Sequence, residues 1–404
     1  MAVGRLANVN YHPIEGFQLG TTEAGIKTSG RKDLVVMLAQ AGSSIAGVFT
    51  TNAFCAAPVQ LCKRHLLEDS PLALVINTGN ANAGTGLVGD ADAFTCCQEL
   101  AKGLSLNSSQ VLPFSTGVIG EKLPIEKIVS NLPHAIKKLD VNGWQDAALG
   151  ILTTDTRTKG ASVQIEHLGQ TISLTGISKG SGMIRPNMAT MLAFVATDVR
   201  CSPTLTQDLL DQAVEQSFNR ITVDGDMSTN DSCMLIATGA SSLCLDDDSE
   251  LISKFSKALT ELMQQLAHAI VRDGEGATKF ISVEVEGGAN TQECLQVAYA
   301  IAHSPLTKTA MFASDPNWGR ILCAVGYSGV PNLDVNTLTI HLGDCLLVDQ
   351  GGCAASYTES AGQEVMDQEE IIIRVDLKRG DIKQTVWTTD LSYDYVKINA
   401  DYRS

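Results

Sequence analysis

The stretch Lys179-Gly180-Ser181-Gly182-Met183-Ile184-Arg185-Pro186-Asn187-Met188-Ala189-Thr190-Met191-Leu192-Ala193-Phe194 joins three features that can serve chemistry. It has a flexible Gly-Ser-Gly run, a stiffening proline, and a small-residue-to-threonine bond at the head of an apolar strand. Alone, a loop of this kind more often turns the chain than catalyses. A threonine at that point nonetheless has one catalytic use: if the chain is cut just before Thr190, the new α-amine becomes the general base for the hydroxyl of the same residue.

Other chemistries find less support. Gly84-Thr85-Gly86-Leu87-Val88-Gly89 matches the spacing of a dinucleotide loop. In such a fold the glycines begin directly after the strand, whereas Thr78 to Ala83 intervene here, so a loop that lets backbone pass closely is the better reading. A nucleotide-binding module stays as a competitor, to be tested by titration with NAD or ATP. No Walker-type phosphate loop occurs. The seven histidines are scattered without ligand spacing, which argues against a metal, and no G-x-S-x-G elbow anchors a serine hydrolase. Asp224 to Asp231 is acidic but lacks the ligand spacing of an EF-hand. Eleven cysteines without a C-x-x-C pair read as small apolar residues in a reducing compartment.

Elements that could position Thr190 are legible on both sides of it. Leu34 to Leu38, Ser44 to Phe49 and Leu72 to Asn77 are short, aliphatic and bounded by turn residues, as buried strands are. Ala161 to His167 and Thr171 to Ile177 form a hairpin into the glycine-rich loop, and Thr190 to Ala196 continues as a strand. Apolar residues recur at helical steps in Asp90 to Leu104, Ile125 to Leu139, Leu205 to Phe218 and Leu251 to Val271. Ile281 to Glu286, Val335 to Leu342, Ile371 to Leu377 and Thr385 to Thr389 read as strands. Interleaved helices, strands and hairpins predict a layered α+β fold rather than a doubly wound parallel sheet.

With 404 residues, 44% hydrophobic and 18% charged, the chain can bury more than one core, which excludes disorder. Its net charge of −16 is uneven: residues 1–189 carry +1 and residues 190–404 carry −17. That argues against nucleic acid and anionic membranes as partners, and asks that any anionic substrate be held by local donors. No apolar run has signal-peptide or membrane-spanning length, so a soluble cytoplasmic protein is expected.

Six segments, in order, resemble the ornithine acetyltransferases (glutamate N-acetyltransferases) along essentially the whole chain. They are Ser115 to Gly120, Thr153 to Thr156, Lys179 to Leu192, Asp273 to Lys279, Asp315 to Arg320 and Asp390 to Arg403, with Asn80-Ala81-Asn82-Ala83 belonging to the same pattern. Six matches in register are far more specific than any one.

The resemblance implies an α-β-β-α core like that of N-terminal-nucleophile enzymes, with a smaller α/β lobe. It also implies self-cleavage between Ala189 and Thr190, giving an alpha chain of residues 1–189 and a beta chain of residues 190–404 that share one core. Acetyl would pass from N-acetylornithine to Thr190 and then to glutamate, with no metal or other cofactor. Thr116 and Gly117 would supply the oxyanion donors. Thr153, Lys179, Thr190, Glu275, Asn399 and the terminal Ser404 would contact substrate, Ser404 standing where most members have threonine. Acetyl-CoA is a possible second donor, and two alpha and two beta chains would form a heterotetramer. The competing enzyme class is a self-cleaving aminopeptidase of related architecture, in which water replaces glutamate.

Overall fold

The computed structural model describes residues 2–4, 9–185 and 191–400. The front half lays down β1 (Phe17–Thr22), β2 (Leu34–Ala39), β3 (Ser44–Phe49), α1 (Ala57–Glu68), β4 (Ala73–Asn80), α2 (Gly86–Leu104) and β5 (Val111–Val118). Next come α3 (Ile125–Ile136), α4 (Trp144–Gly150) and the hairpin of β6 (Lys159–His167) with β7 (Gln170–Lys179). After these follow β8 (Leu192–Thr197), α5 (Pro203–Glu215), β9 (Ser232–Ala237) and α6 (Ser249–Arg272).

Side-chain alternation in these strands dictates the layers. One sheet has the order β1-β2-β4-β5 and the other β3-β9-β8-β7-β6. Val35, Met37, Leu74, Ile76 and Phe114 of the first meet Ile177, Phe194, Ala196 and Met234 of the second in a shared core. Their sequence neighbours Leu34, Val36, Val75 and Val111 face the other way, onto Leu61, Cys97, Leu100 and Leu132 of α1, α2 and α3. Leu174, Val195, Cys233 and Leu235 likewise turn onto Leu210 of α5 and Leu259, Leu262 and Leu266 of α6. The result is helix, sheet, sheet, helix. Each aliphatic side chain fully withdrawn from water there contributes about 1.5 to 3 kcal/mol.

The remaining chain builds a smaller lobe: β10 (Phe280–Gly288), α7 (Thr291–Ala302), α8 (Pro305–Phe312), α9 (Trp318–Gly326), β11 (Thr339–Leu342), β12 (Cys345–Asp349) and β13 (Gly352–Cys353), then α10 (Glu359–Met366), β14 (Glu370–Asp376), β15 (Ile382–Thr389) and α11 (Tyr393–Ala400). Its six strands are ordered β13-β12-β11-β14-β10-β15. Val283, Ile340, Ile373 and Val386 pack there with Val297, Ile301, Ile321 and Val325 of α7 and α9. The expected layered α+β fold with a smaller lobe is therefore the observed one.

Several boundaries differ from expectation for local reasons. The strand expected from Val335 begins only at Thr339, because Asp334 accepts the Asn336 amide at 3.0 Å and the Thr337 hydroxyl bonds to its carbonyl, closing a turn. The helix expected to reach Leu139 stops at Ile136, shortly after Pro133. The strand expected from Thr190 is described from Leu192 onward, and Ala189 and Thr190 lie outside the described residues. The dinucleotide-like loop uses its glycines for conformation: Gly84 and Gly86 have φ of +70° and +58°. All eleven cysteines are free, and six of them are buried. Among the described residues, no helix is long and apolar enough to cross a membrane.

Candidate active site

The parallel strands β4 and β5 end in an irregularity where Asn80 opposes both Thr116 and Val118. Gly117 sits there with φ +139°, and a Cβ on it would lie 2.5 Å from the Asn80 nitrogen. Only glycine fits that close approach, so the backbone of Thr116 and Gly117 is held open to the interior. The ends of β5 and β7 and the loops near Ser228 and Glu275 together enclose a cavity of about 110 Å³. Its walls include Thr116, Gly117, Thr153, Thr154, Lys179, Ser228, Thr229, Asn230, Glu275 and Asn399. A second space of about 350 Å³, bordered by Lys27, Thr28 and Arg31, shares Gly117, Thr153 and Thr154 with it.

Lys179 is the last residue of β7 and is buried. Its Nζ donates to Thr116 Oγ1 at 3.4 Å and lies 4.0 Å from Asp155 Oδ2. Burial pulls this ammonium below the ordinary lysine value; Asp155 opposes the shift and the second cation, Lys159, adds to it. Asp155 is the hub. It accepts the Gly180 amide at 2.7 Å and Lys159 Nζ at 2.5 Å, and Lys159 continues to Asp273 Oδ2 at 2.6 Å. Burial alone would raise the Asp155 carboxyl, but the charges of Lys159 and Lys179 overrule it and hold the group well below the usual carboxylate range. Two cations and two carboxylates thus balance one another out of water, which is the condition for burying charge at tolerable cost.

Glu275 is fixed from three sides. Thr154 Oγ1 donates to its Oε1 at 2.8 Å, Asn399 Nδ2 donates to Oε2 at 2.9 Å, and its amide donates to Ser181 O at 2.8 Å. The Thr154 and Ser181 hydroxyls are 2.7 Å apart. A Cβ on Gly182 would come 2.5 Å from the Glu275 carboxyl carbon, which explains the small residue in the Gly-Ser-Gly run. On the other side, Asn230 donates from Nδ2 to Ala81 O at 2.6 Å and Ser115 O at 2.9 Å, tying the start of β9 to the irregular ends of β4 and β5.

The structure therefore brings Thr116, Gly117, Thr153, Lys179, Glu275 and Asn399 together around one cavity. Thr190 and Ser404 are outside the described residues. The sequence assigns no role to Asp155, Lys159, Asp273 or Asn230; Asp155 and Asp273 stand within the matching motifs, but nothing in their spacing announces a buried ionic network. Among the described residues, no three His, Cys, Asp or Glu side chains converge as a metal site requires.

A sequence model of the ArgJ family matches residues 18–404. The chain belongs to the ArgJ family. It is 57% identical, over 406 aligned positions covering all of both chains, to the arginine biosynthesis bifunctional protein ArgJ of Pseudomonas fluorescens. A crystal structure of the argJ protein of Bacillus halodurans is 41% identical, covers 51% of this chain and 97% of its own, and superposes with a TM-score of 0.49. The ornithine acetyltransferase of Mycobacterium tuberculosis, solved with ornithine, is 34% identical, covers 43% of this chain and 92% of its own, with a TM-score of 0.41.

Proposed function

We propose that this ArgJ family member is a self-processing acetyltransferase of arginine biosynthesis that moves acetyl from N-acetylornithine to glutamate through an ester on Thr190. The observation that carries the reading is the convergence of Thr116, Gly117, Thr153, Lys179, Glu275 and Asn399 on one cavity, in a chain whose family model spans residues 18–404.

Processing begins when Thr190 Oγ attacks the Ala189 carbonyl carbon. The new C–O bond replaces the C–N bond, and the released nitrogen takes up the proton lost by the hydroxyl. Water hydrolyses that ester, leaving a carboxylate on Ala189 and an α-amine on Thr190. The amine belongs to a class that titrates near ~7.7 to 8.0, suited to accept the hydroxyl proton when Thr190 attacks the acetyl carbonyl. Ornithine leaves as the amine, and the amino group of glutamate then takes the acetyl from Thr190. Donors at Thr116 and Gly117 stabilise each tetrahedral oxyanion; one such donor is typically worth ~100 to 1000-fold in rate. Lys179 meets the substrate α-carboxylate and Glu275 the ammonium, Asn399 orients Glu275, and the Ser404 hydroxyl completes the substrate contacts.

Sheet order supports an alpha chain (1–189) and a beta chain (190–404) that remain together. β8 and β9 would belong to the beta chain, yet they are hydrogen-bonded between β3 and β7 of the alpha chain. The same reading takes the assembly as a heterotetramer, acetyl-CoA as an alternative donor, and the cytoplasm as the compartment, to which eleven unpaired cysteines are suited.

Thr190→Ala tests the core of the reading. It should leave one uncut chain of 42.9 kDa without acetyl transfer, and two fragments from that variant would put processing elsewhere. Wild type incubated with N-acetylornithine should gain one acetyl mass on the back fragment. A label confined to the front fragment excludes Thr190. Assaying glutamate acetylation with each donor separately decides whether acetyl-CoA is used.

A further inference from the structure

The second space beside the reaction cavity has a charged wall of its own, made by Lys27, Arg31 and Asp33. Asp33 is committed to its loop: Oδ1 accepts the Ala24 amide and Oδ2 the Ile26 amide, each at 2.6 Å, and its carbonyl accepts the Thr78 amide at 3.0 Å. That loop lies on the end of β4, where a Cβ on Gly79 would come 2.9 Å from Lys27 Cβ. Arg31 is half-buried, and its guanidinium donates from Nη1 to Thr153 O at 3.2 Å and from Nη2 to Leu152 O. Both partners are neutral carbonyls, so three of the five N–H donors and the whole positive charge remain for something else. Among the described residues, no carboxylate forms an ion pair with Arg31.

The proposed reaction needs a place for such a charge. N-acetylornithine ends its side chain in an ammonium and glutamate ends its own in a carboxylate, yet both must present the α-nitrogen to the same acetyl group. Under the proposed function Glu275 meets the ammonium, so a carboxylate laid along that path would face a like charge and has to point elsewhere. The second space shares Gly117, Thr153 and Thr154 with the reaction cavity, and so opens from the same wall. We propose that it is the subsite for the distal carboxylate of the acceptor glutamate, with Arg31 as its specificity-determining residue: the carbonyls of Leu152 and Thr153 fix the guanidinium, and its remaining N–H groups pair with that carboxylate. This rests on the acetyltransferase reading and adds to it how one site takes two side chains of opposite charge. A planar guanidinium anchored by carbonyls is pre-organised for a carboxylate.

Kinetics of the two half-reactions test this, because in a ping-pong scheme kcat/KM for each substrate reports only the half-reaction that substrate enters. Wild type should take glutamate over glutamine, its uncharged isostere, by about tenfold or more in kcat/KM. Equal use of the two overturns the proposal. Arg31→Gln should lower kcat/KM for glutamate by about tenfold to a hundredfold and leave the values for N-acetylornithine and glutamine near those of wild type. A loss shared equally by N-acetylornithine and glutamate makes Arg31 a support for Thr153 alone and overturns it, as does a loss confined to acetyl-CoA, whose phosphates would then be the anion. If R31Q melts below wild type, Thr28→Asp carries the test, since Thr28 lines the same space at an exposed position where substitution spares the fold. Its added negative charge should cut kcat/KM for glutamate about threefold or more and spare N-acetylornithine; an unchanged glutamate value overturns the assignment. Wild type that moves no acetyl from N-acetylornithine to glutamate instead removes the function reading itself, before any variant is made.

Discussion

Thr116, Gly117 and Lys179 reach the cavity from strands buried between layers, whereas Asn399 reaches it from α11, a terminal helix with no buried residue. The strand wall is locked by ladder hydrogen bonds, by a close approach that only glycine permits, and by the Lys159-Asp155-Lys179 charges. α11 is held by polar clasps: Asn399 to Glu275, Tyr395 Oη to Asp224 Oδ2 at 3.2 Å, and Ser392 Oγ to Gly276 O at 2.6 Å just before the helix. The contrast suits a group-transfer enzyme. Under the proposed function, groups that meet a developing oxyanion would need fixed positions, while groups that admit and release amino acids would sit on an element of low local stability.

The sharpest way to break that contrast is Gly117→Ala. Left-handed strain and overpacking against Gly79 and Asn80 should cost about 3 kcal/mol or more, with transfer activity lost, as read by denaturant unfolding and turnover. Wild-type stability in that variant would mean the strand wall yields. Asp155→Asn should follow closely. It leaves Lys159 and Lys179 buried with too little negative charge, a loss of about 3 to 5 kcal/mol measurable as a lower urea midpoint.

Acid should loosen the lobe side before the strand wall. Burial lowers His268 and His303 to about 4, with Arg272 and Arg185 adding to it respectively. The unfolded chain binds these protons near pH 6.5 and the folded chain only near 4, so stability is present above that window and is lost as pH falls through it, by up to roughly 3 kcal/mol per histidine. His268 packs edge-on against Trp387 of β15, which leads into α11. Hydrogen exchange between pH 6.5 and 4 should therefore rise in α11 before β5 and β7; the opposite order would reverse the comparison. Asn399→Ala has the smallest expected effect on stability, within about 0.5 kcal/mol at an exposed position, yet it should raise KM for the amino-acid substrate about tenfold by freeing Glu275.

Much of the site could be read from residue order because its members lie in short motifs with unusual local demands. Gly117 and Gly182 stand where a side chain would collide, and Thr190 precedes an apolar run in the sequence. The layered α+β class was likewise legible from aliphatic strands alternating with amphipathic helices. Other features left no trace in periodicity. β1, α1 and β9 are not singled out by the sequence reading, although β9 is as fully buried as β8. Asp155, Lys159 and Asp273 look like solvated charges until the fold buries them together.

Local sequence settled where the chain turns and which faces are apolar, because these depend on backbone sterics and on the nearest neighbours. Only tertiary packing decided that Asp155 must bridge two lysines and that Asn230 spans to Ala81 and Ser115. Charge pairing and desolvation depend on distance and burial in space, and these arise when strands far apart in sequence close over the same small volume.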